Sequence, residues 1–162
     1  MSRESIHLPG FAHANPIPAA ARIGPCLASG LLTGRHPGTR EMPAGLDEQA
    51  ANVFTHVRAL LAEAGGTPGD ILKMTFWLTN YRDRDALNRE WTALFPSADD
   101  RPARQVMAAQ LDNGGLIQCD LLAVLPTRTA AHAAAHAAAH AAAHTAAHTA
   151  AHTVMQSPGD TP

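Results

Sequence analysis

Apolar residues recur at helical spacing in two segments of the chain, and the pattern predicts two amphipathic helices. The longer predicted helix covers residues 46–64 and ends at Gly65-Gly66, because glycine commonly caps a helix C-terminus. The shorter one covers residues 83–95 and is stopped by Pro96. Each helix has one apolar stripe, so each is expected to pack against another element.

Alternation of apolar and polar residues predicts the strands. The clearest is 71–79, where Leu72, Met74, Phe76 and Leu78 are expected to share one face. Further strands are predicted at 4–8, at 19–23 and 26–32 as a hairpin, and at 103–111 and 116–125 as a second hairpin. The order β-β-β-α-β-α-β-β predicts an α+β fold, a mixed sheet with two helices on one face.

Two charged side chains interrupt the apolar strands of the second predicted hairpin. Arg104 enters the first strand and Asp120 lies within the second. A charge in an apolar strand is costly to desolvate unless it has a partner. Two interpretations stay open from the residues alone: a structural Arg–Asp ion pair, or a site in which the guanidinium grips a carboxylate.

The composition limits the function classes. The formal net charge is −2, and the 12 Lys plus Arg residues are scattered, which argues against nucleic acid as a partner. No long apolar segment indicates a membrane span or a secretory signal. Cys26 and Cys119 lack CxxC spacing and are interpreted as small buried residues of a reducing compartment. We therefore expect a cytoplasmic protein.

The last part of the chain differs in composition from the rest. Residues 129–152 contain only Ala, His and Thr, with a histidine at every fourth position from His132 to His152. We predict a domain at 1–126 and a low-complexity tail at 127–162, either disordered or partly helical. Histidines four apart on a helix share a face, so the tail could chelate a transition metal non-specifically.

An ordered set of motifs resembles the RidA (YjgF/UK-type) family of imine deaminases, which earlier carried the name endoribonuclease L-PSP. The motifs are Ala19-Ala-Ala-Arg-Ile-Gly24, Ala28-Ser-Gly30, Leu60-Leu-Ala-Glu-Ala-Gly-Gly66, Ile71-Leu-Lys-Met-Thr75, Asn88-Arg-Glu-Trp91, Arg101-Pro-Ala-Arg104 and Ile117-Gln-Cys-Asp120. Together they cover roughly residues 4–125 in the family's order.

The resemblance implies a chorismate-mutase-like fold (bacillus type) and a homotrimer with sites between subunits. It also implies hydrolysis of a reactive 2-imino or enamino acid to the 2-oxo acid and ammonia, without a metal or organic cofactor. Arg104 would bind the substrate carboxylate, and the backbone at Ser29, Gly30 and Leu31 would orient the remainder. Asp120 would be the catalytic residue that activates water. The implied partners are a small imino or 2-oxo acid and other copies of the chain.

Three departures from the family keep a second hypothesis open. The chain has Asp120 where the family's deaminases carry Glu, no Tyr near Pro16, and Val106 where they carry Cys. A non-catalytic module that binds or senses a small carboxylic acid would fit these changes. A third hypothesis, an RNA-cleaving or translation-inhibiting protein, is disfavoured because the chain has no basic patch.

The second hairpin also predicts where Arg104 and Asp120 lie. If Leu111 faces Leu116, Asp120 falls opposite Met107, three residues from Arg104. An odd offset places the two side chains on opposite faces of the sheet. A complete site would then need two neighbouring chains.

Overall fold

The computed structural model describes residues 2–11 and 15–127. The Ala/His repeat from residue 129 onward and its metal chelation lie outside these residues, and the domain boundary after residue 126 stays a prediction. The elements in chain order are β1 (Arg3–Ile6), β2 (Ala20–Ile23), β3 (Cys26–Ser29), β4 (Leu32–Thr33), α1 (Leu46–Ala64), the short 3-10 helix η1 (Pro68–Asp70), β5 (Ile71–Leu78), α2 (Asp85–Leu94), β6 (Ala103–Ala108) and β7 (Ile117–Val124). Both helices fall where the apolar spacing predicts them. Gly65 caps α1 with a positive φ of 76°.

All seven strands belong to one mixed sheet. Its order is β1-β2-β3-β7-β5-β6, and the short strand β4 pairs with β7 beyond the end of β3. Every pairing is antiparallel except that of β5 with β6, which is parallel. Both helices cover the same face of the sheet. The predicted α+β fold, with two helices on one face of a mixed sheet, is confirmed.

The predicted hairpin of residues 103–111 with 116–125 is wrong, because β5 lies between β6 and β7. Helix α2 carries the chain from β5 across to a parallel β6, as β-α-β connections do. The chain then crosses the end of β5 and returns as β7 on its other side. Strand β5 pairs with a strand on each of its edges, which leaves β6 as an exposed edge strand.

The predicted face of β5 is shifted at its first residues. A register irregularity between Ile71 and Lys73 turns Leu72 outward, so Leu72 is 61% exposed and Ile71 is buried instead. From Met74 onward the alternation holds, with Met74, Phe76 and Leu78 buried under the helices. The bulge therefore changes one end of the strand and leaves its centre as predicted.

Aromatic side chains connect the helices to the sheet. Phe76 of β5 lies 5.7 Å from Phe54 of α1 and 6.1 Å from Trp91 of α2, measured between ring centroids. Trp91 in turn contacts Phe95 at 4.6 Å. Offset and edge-to-face pairs of this kind stabilise a core beyond the burial of their area. Trp91 is thereby fixed at the point where α2 meets the edge of the sheet.

The opposite face of the sheet carries exposed apolar side chains in this single chain. They include Ile23, Met107, Leu122 and Val124, each between 43% and 50% exposed. Cys26 is paired with Val124 in the sheet and is exposed on the same face, so its predicted burial is wrong for the chain alone. Alternation along strands near the sheet centre directs every second side chain to this face. We name it the uncovered face.

Candidate functional site

Arg104 lies on the edge strand β6, with its side chain on the helix side of the sheet. Its Nη1 donates a hydrogen bond to Oδ1 of Asn88 on α2, at 3.0 Å. Its guanidinium carbon lies 5.0 Å from the ring centroid of Trp91, one turn further along the same helix. These two contacts orient a side chain that is otherwise exposed. The strand that carries Arg104 looked buried from its apolar sequence, but β6 is an edge strand and Arg104 is exposed.

No carboxylate pairs with Arg104 within residues 2–11 and 15–127, where the ion pairs found join other residues. Partial burial lowers the pKa of Arg104, and the positive charges of Arg84 and Arg101 lower it further. Arginine nevertheless keeps its proton at any physiological pH. The site thus presents an oriented cation in a positive environment, which favours binding of an anion.

Asp120 is too far from Arg104 to pair with it in the same chain. Arg104 is level with Met74 of β5, whereas Asp120 is level with the next residue, Thr75. Adjacent residues of a strand face opposite sides, so Asp120 is directed to the uncovered face. The two residues are also two strand spacings apart, about 10 Å. An ion pair between Arg104 and Asp120 within one chain is therefore excluded. The two side chains lie on opposite faces of the sheet, as predicted, but because they are level with successive residues of β5 and not because they belong to one hairpin.

Ser29, Gly30 and Leu31 form the connection between β3 and β4. The hydroxyl oxygen of Ser29 accepts a hydrogen bond from the backbone N–H of Leu121 at 2.9 Å. The N–H of Gly30 donates to the carbonyl of Ala19 at 2.8 Å, so that donor is already used within the chain. Leu31 is exposed and lines a cleft. Of these three residues, Leu31 is the one that lines the cleft, and Gly30 is exposed beside it.

The cleft beside Leu31 has a volume of about 780 Å³. Its polar lining includes Thr33, Arg35, Arg40, Asp112 and Gln118. None of these was singled out from the sequence. Gln118 and Asp120 are two residues apart on β7 and share a face, but only Gln118 lines the cleft. Strand alternation alone places Gln118 and Asp120 on the same face and does not distinguish which of them is a site residue. The loops that pass over the strand decide which of the two borders the cleft.

Three polar residues of α1 hold the walls of this cleft. Gln49, Asn52 and His56 follow one another at helical spacing, so they lie on one face of α1. Asn52 donates to the carbonyl of Gly34 at 3.0 Å, and Nε2 of His56 bonds the carbonyl of Arg35 at 2.9 Å. The loop that carries Arg35 is therefore attached to the helix at two successive carbonyls.

Gln49 connects both walls. Its amide nitrogen donates to the carbonyls of Pro43 and Gly114, at 2.6 and 2.9 Å, and its oxygen accepts from the N–H of Leu116 at 2.7 Å. A Cβ at Gly34 would lie 2.5 Å from the Cβ of Gln49, so only glycine fits where this loop passes the helix. One buried amide thus fixes the separation of the two loops.

His56 is neutral in the folded protein near pH 7. Burial lowers the pKa of its imidazole, the hydrogen bond to the Arg35 carbonyl opposes this, and the Arg35 charge lowers the pKa again. Since a carbonyl oxygen only accepts, Nε2 must carry the proton. His56 is therefore a positioning residue for the loop, with its ring also packed 4.5 Å from that of Phe11.

Cys119 is the buried one of the two cysteines. Complete burial raises the pKa of Cys119, and the charge of Asp120 raises it further, so its thiol stays protonated. No group of three or more His, Cys, Asp or Glu side chains within 2–11 and 15–127 could hold a metal ion. Over the same ranges, no helix has both the length and the apolar character to cross a membrane.

Comparison with known proteins agrees with the fold and with the motifs. The family described as Endoribonuclease L-PSP matches residues 20–125. The chain belongs to this family, which includes the RidA and YjgF proteins. A RutC family protein of Haemophilus influenzae is 32% identical over 92 residues, which are 55% of this chain and 71% of the relative. The RidA/YjgF assignment made from the sequence is confirmed.

Two further RidA-type proteins resemble the chain. The 2-iminobutanoate/2-iminopropanoate deaminase of Dermatophagoides farinae is 24% identical over 112 residues, 68% of this chain and 86% of that protein. The crystal structure of RidA from a Psychrobacter species superposes with a TM-score of 0.66 at 25% identity, covering 77% of this chain and 99% of that one. Arg104, Asp120 and the cleft lining from Leu31 to Gln118 lie inside the residues that the family model matches.

Proposed function

We propose that the protein hydrolyses reactive 2-imino or enamino acids to 2-oxo acids and ammonia. Water adds to the imine carbon, the resulting carbinolamine loses ammonia, and the carbonyl forms. The observation that carries the proposal is Arg104, an oriented guanidinium with no carboxylate partner among the described residues. A substrate carboxylate fits its planar fork of donors. An imine is electrophilic already, so the reaction is proposed to need no metal or organic cofactor.

The proposed site is shared between chains of a homotrimer. Leu31 adjoins β4, and Arg104 lies on β6, with β7 and β5 between them. Three strand spacings separate these strands by about 14 Å, too far for one small acid to touch both. A second chain docked on the exposed apolar side chains of the uncovered face would bring its own Leu31 and Asp120 toward Arg104. Closed symmetry would repeat that junction at every interface.

Asp120 is proposed to take a proton from the attacking water and return it to the departing nitrogen. Its place on the uncovered face supports a role at a subunit junction, because that face is the one left open for a neighbour. Gln118 lies two residues away at the cleft and would orient the water or the imine by hydrogen bonding.

The test replaces Arg104 by lysine, which keeps the charge and removes the fork. We expect kcat/KM for 2-iminobutanoate to fall at least about 100-fold, since hydrogen bonds to charged groups contribute roughly 1.5–3 kcal/mol each and two are lost. The melting temperature should stay unchanged because Arg104 is exposed. Arg58→Lys, an exposed arginine on the outer side of α1, is the matched control. Nearly full activity of Arg104→Lys would place the carboxylate anchor elsewhere.

A second candidate function is binding of a small carboxylic acid without turnover. It is favoured by Gln118, because an amide lines the cleft at a point where a base would be useful. Ammonia release from freshly generated 2-aminoacrylate distinguishes the two functions. Binding of 2-oxobutanoate that depends on Arg104, with no acceleration of ammonia release, would select the binding module.

A further inference from the structure

We propose that the cleft lined by Arg35, Arg40 and Thr33 binds a second anionic group, so that the preferred substrate carries two acidic groups. The inference rests on the proposed function and names the substrate class. The second group would be a carboxylate or a phosphate-type anion. Neither Arg35 nor Arg40 has a role in the reaction as proposed above, so these two residues add to that site.

Two guanidinium groups face the same space. Arg35 is half-buried with its guanidinium 4.0 Å from the Phe11 ring centroid, while Arg40 is exposed on the same loop. Burial lowers the pKa of Arg35, and the Arg40 charge lowers it further, so the two cations lie close enough to repel each other. An anion bound between them would remove that repulsion. Among the described residues that line the cleft, Asp112 on the facing loop is the one carboxylate.

A neutral donor adds to this pair of cations. The hydroxyl oxygen of Thr33 is buried and has no hydrogen-bond partner within residues 2–11 and 15–127. A buried hydroxyl without a partner costs free energy, so a ligand that accepts its hydrogen bond would recover that cost. Thr33 is level with Gln118 in the sheet, which places a donor hydroxyl and an amide side by side at the cleft.

The cleft includes Leu31, which is also part of the proposed reaction site. A substrate oriented by the Leu31 backbone would therefore extend any side chain toward Arg35 and Arg40. An imino acid with an alkyl side chain would place no anion of its own beside these two guanidinium groups. A 2-imino dicarboxylic acid, such as 2-iminoglutarate, would instead fill the cleft with a carboxylate.

The experiment compares two imines generated in situ by amino-acid oxidation in the presence of the full-length protein. The measured quantity is the ratio of kcat/KM for 2-iminoglutarate to kcat/KM for 2-iminobutanoate. We expect Arg40→Gln to lower this ratio about tenfold and Arg40→Lys to restore most of it. Arg58→Gln makes the same charge change on an exposed turn of α1 and should leave the ratio unchanged. Arg40 is exposed, so its replacement should not affect folding.

Calorimetric titration separates failure of this inference from failure of the proposed function. Binding of 2-oxoglutarate that weakens about tenfold in Arg40→Gln, without imine turnover by any form, would uphold the cleft and overturn the deaminase. Turnover of 2-iminobutanoate with an unchanged ratio in Arg40→Gln would overturn the cleft and uphold the deaminase. Absence of both 2-oxoglutarate binding and a ratio effect also overturns the cleft. Titration with phosphonopyruvate shows whether a phosphate-type anion is preferred to a carboxylate.

Discussion

Two arginines of this chain occur in similar apolar sequence and have opposite environments. Arg22 is only 5% exposed, and its guanidinium donates to the carbonyls of Gly24, Ala64 and Pro126, at 2.7, 3.1 and 3.1 Å. Those carbonyls end the β2 strand, the α1 helix and the β7 region, so Arg22 is structural. Arg104 has one amide partner and an open side. The number of committed donors, not the burial of the surrounding residues, separates a structural arginine from a binding one.

At the residue scale, the lowered pKa of His56 predicts that the stability of the protein depends on pH. Its folded pKa is lowered below the usual value of about 6.5, so the unfolded chain binds a proton there more readily. Stability is therefore fully present above about pH 6.5 and falls as the pH drops through the folded pKa. In His56→Gln, the amide can still donate to the Arg35 carbonyl but cannot titrate.

Urea unfolding at pH 7.5 and pH 5.5 checks this prediction. Between these pH values we expect the wild-type protein to lose more unfolding free energy than His56→Gln. The carboxylates and the other histidines are common to both proteins and cancel in the difference. Equal losses would mean that the pKa of His56 is the same in the folded and unfolded states.

At the scale of elements, α1 holds the cleft as well as the core. Its apolar face packs on the sheet, and Gln49 at the same time bonds the loop before the helix and the loop before β7. A helix with a buried amide in its first turns is costly unless every donor and acceptor is used. Here the amide nitrogen and the amide oxygen of Gln49 both have backbone partners, so this side chain couples two loops that are distant in sequence.

Replacing Gln49 by methionine should test this coupling. The volume is nearly conserved, but the Leu116 N–H and the Pro43 and Gly114 carbonyls lose their partner. We expect the free energy of unfolding to fall by about 2–4 kcal/mol, since each buried polar group left unsatisfied costs roughly 1–3 kcal/mol. Chemical denaturation measures the change. Arg58→Met, on the exposed side of the same helix, is the control and should change stability by less than about 0.5 kcal/mol. A similarly small change for Gln49→Met would show that water replaces the amide.

At the scale of the whole molecule, the proposed site depends on assembly. Arg104 and Asp120 are on opposite faces of one sheet, and the uncovered face exposes apolar side chains. Contiguous exposed apolar surface commonly marks an interface. Assembly through this face would explain both features together, because it would cover the apolar residues and supply the second half of each site.

Mixing two inactive variants tests that assembly. We expect Arg104→Ala and Asp120→Ala each to be inactive alone. After joint dissociation and reassembly they should recover part of the activity, because some junctions then unite an intact Arg104 with an intact Asp120. Sedimentation should show the same trimer mass for the mixture and for each variant. Mixed trimers that stay fully inactive would place both residues in sites formed by one chain.

The sequence by itself determined the elements and their classes. The 3.6-residue period with a closing Gly65 defined α1, and strict alternation defined the centre of β5, because both signals depend on neighbours along the chain. The choice of partner for β6 and β7 is not a local property. Two apolar strands around a short turn fit a hairpin, but pairing each of them with β5 buries β7 at the centre of the sheet and uses both edges of β5.

The candidate site likewise combines residues identified from the sequence with contacts that only the tertiary structure decided. The resemblance to the RidA family selected Arg104, Asp120 and the segment Ser29 to Leu31 as site residues. The two charges also stand out against the apolar background of their strands. Only the tertiary structure decided that Asn88 and Trp91 orient Arg104, and that Gln118, Arg35 and Arg40 border the cleft. These contacts join residues far apart in the chain. The strand order and the loops held by α1 bring them together, and no local pattern of residues encodes that arrangement.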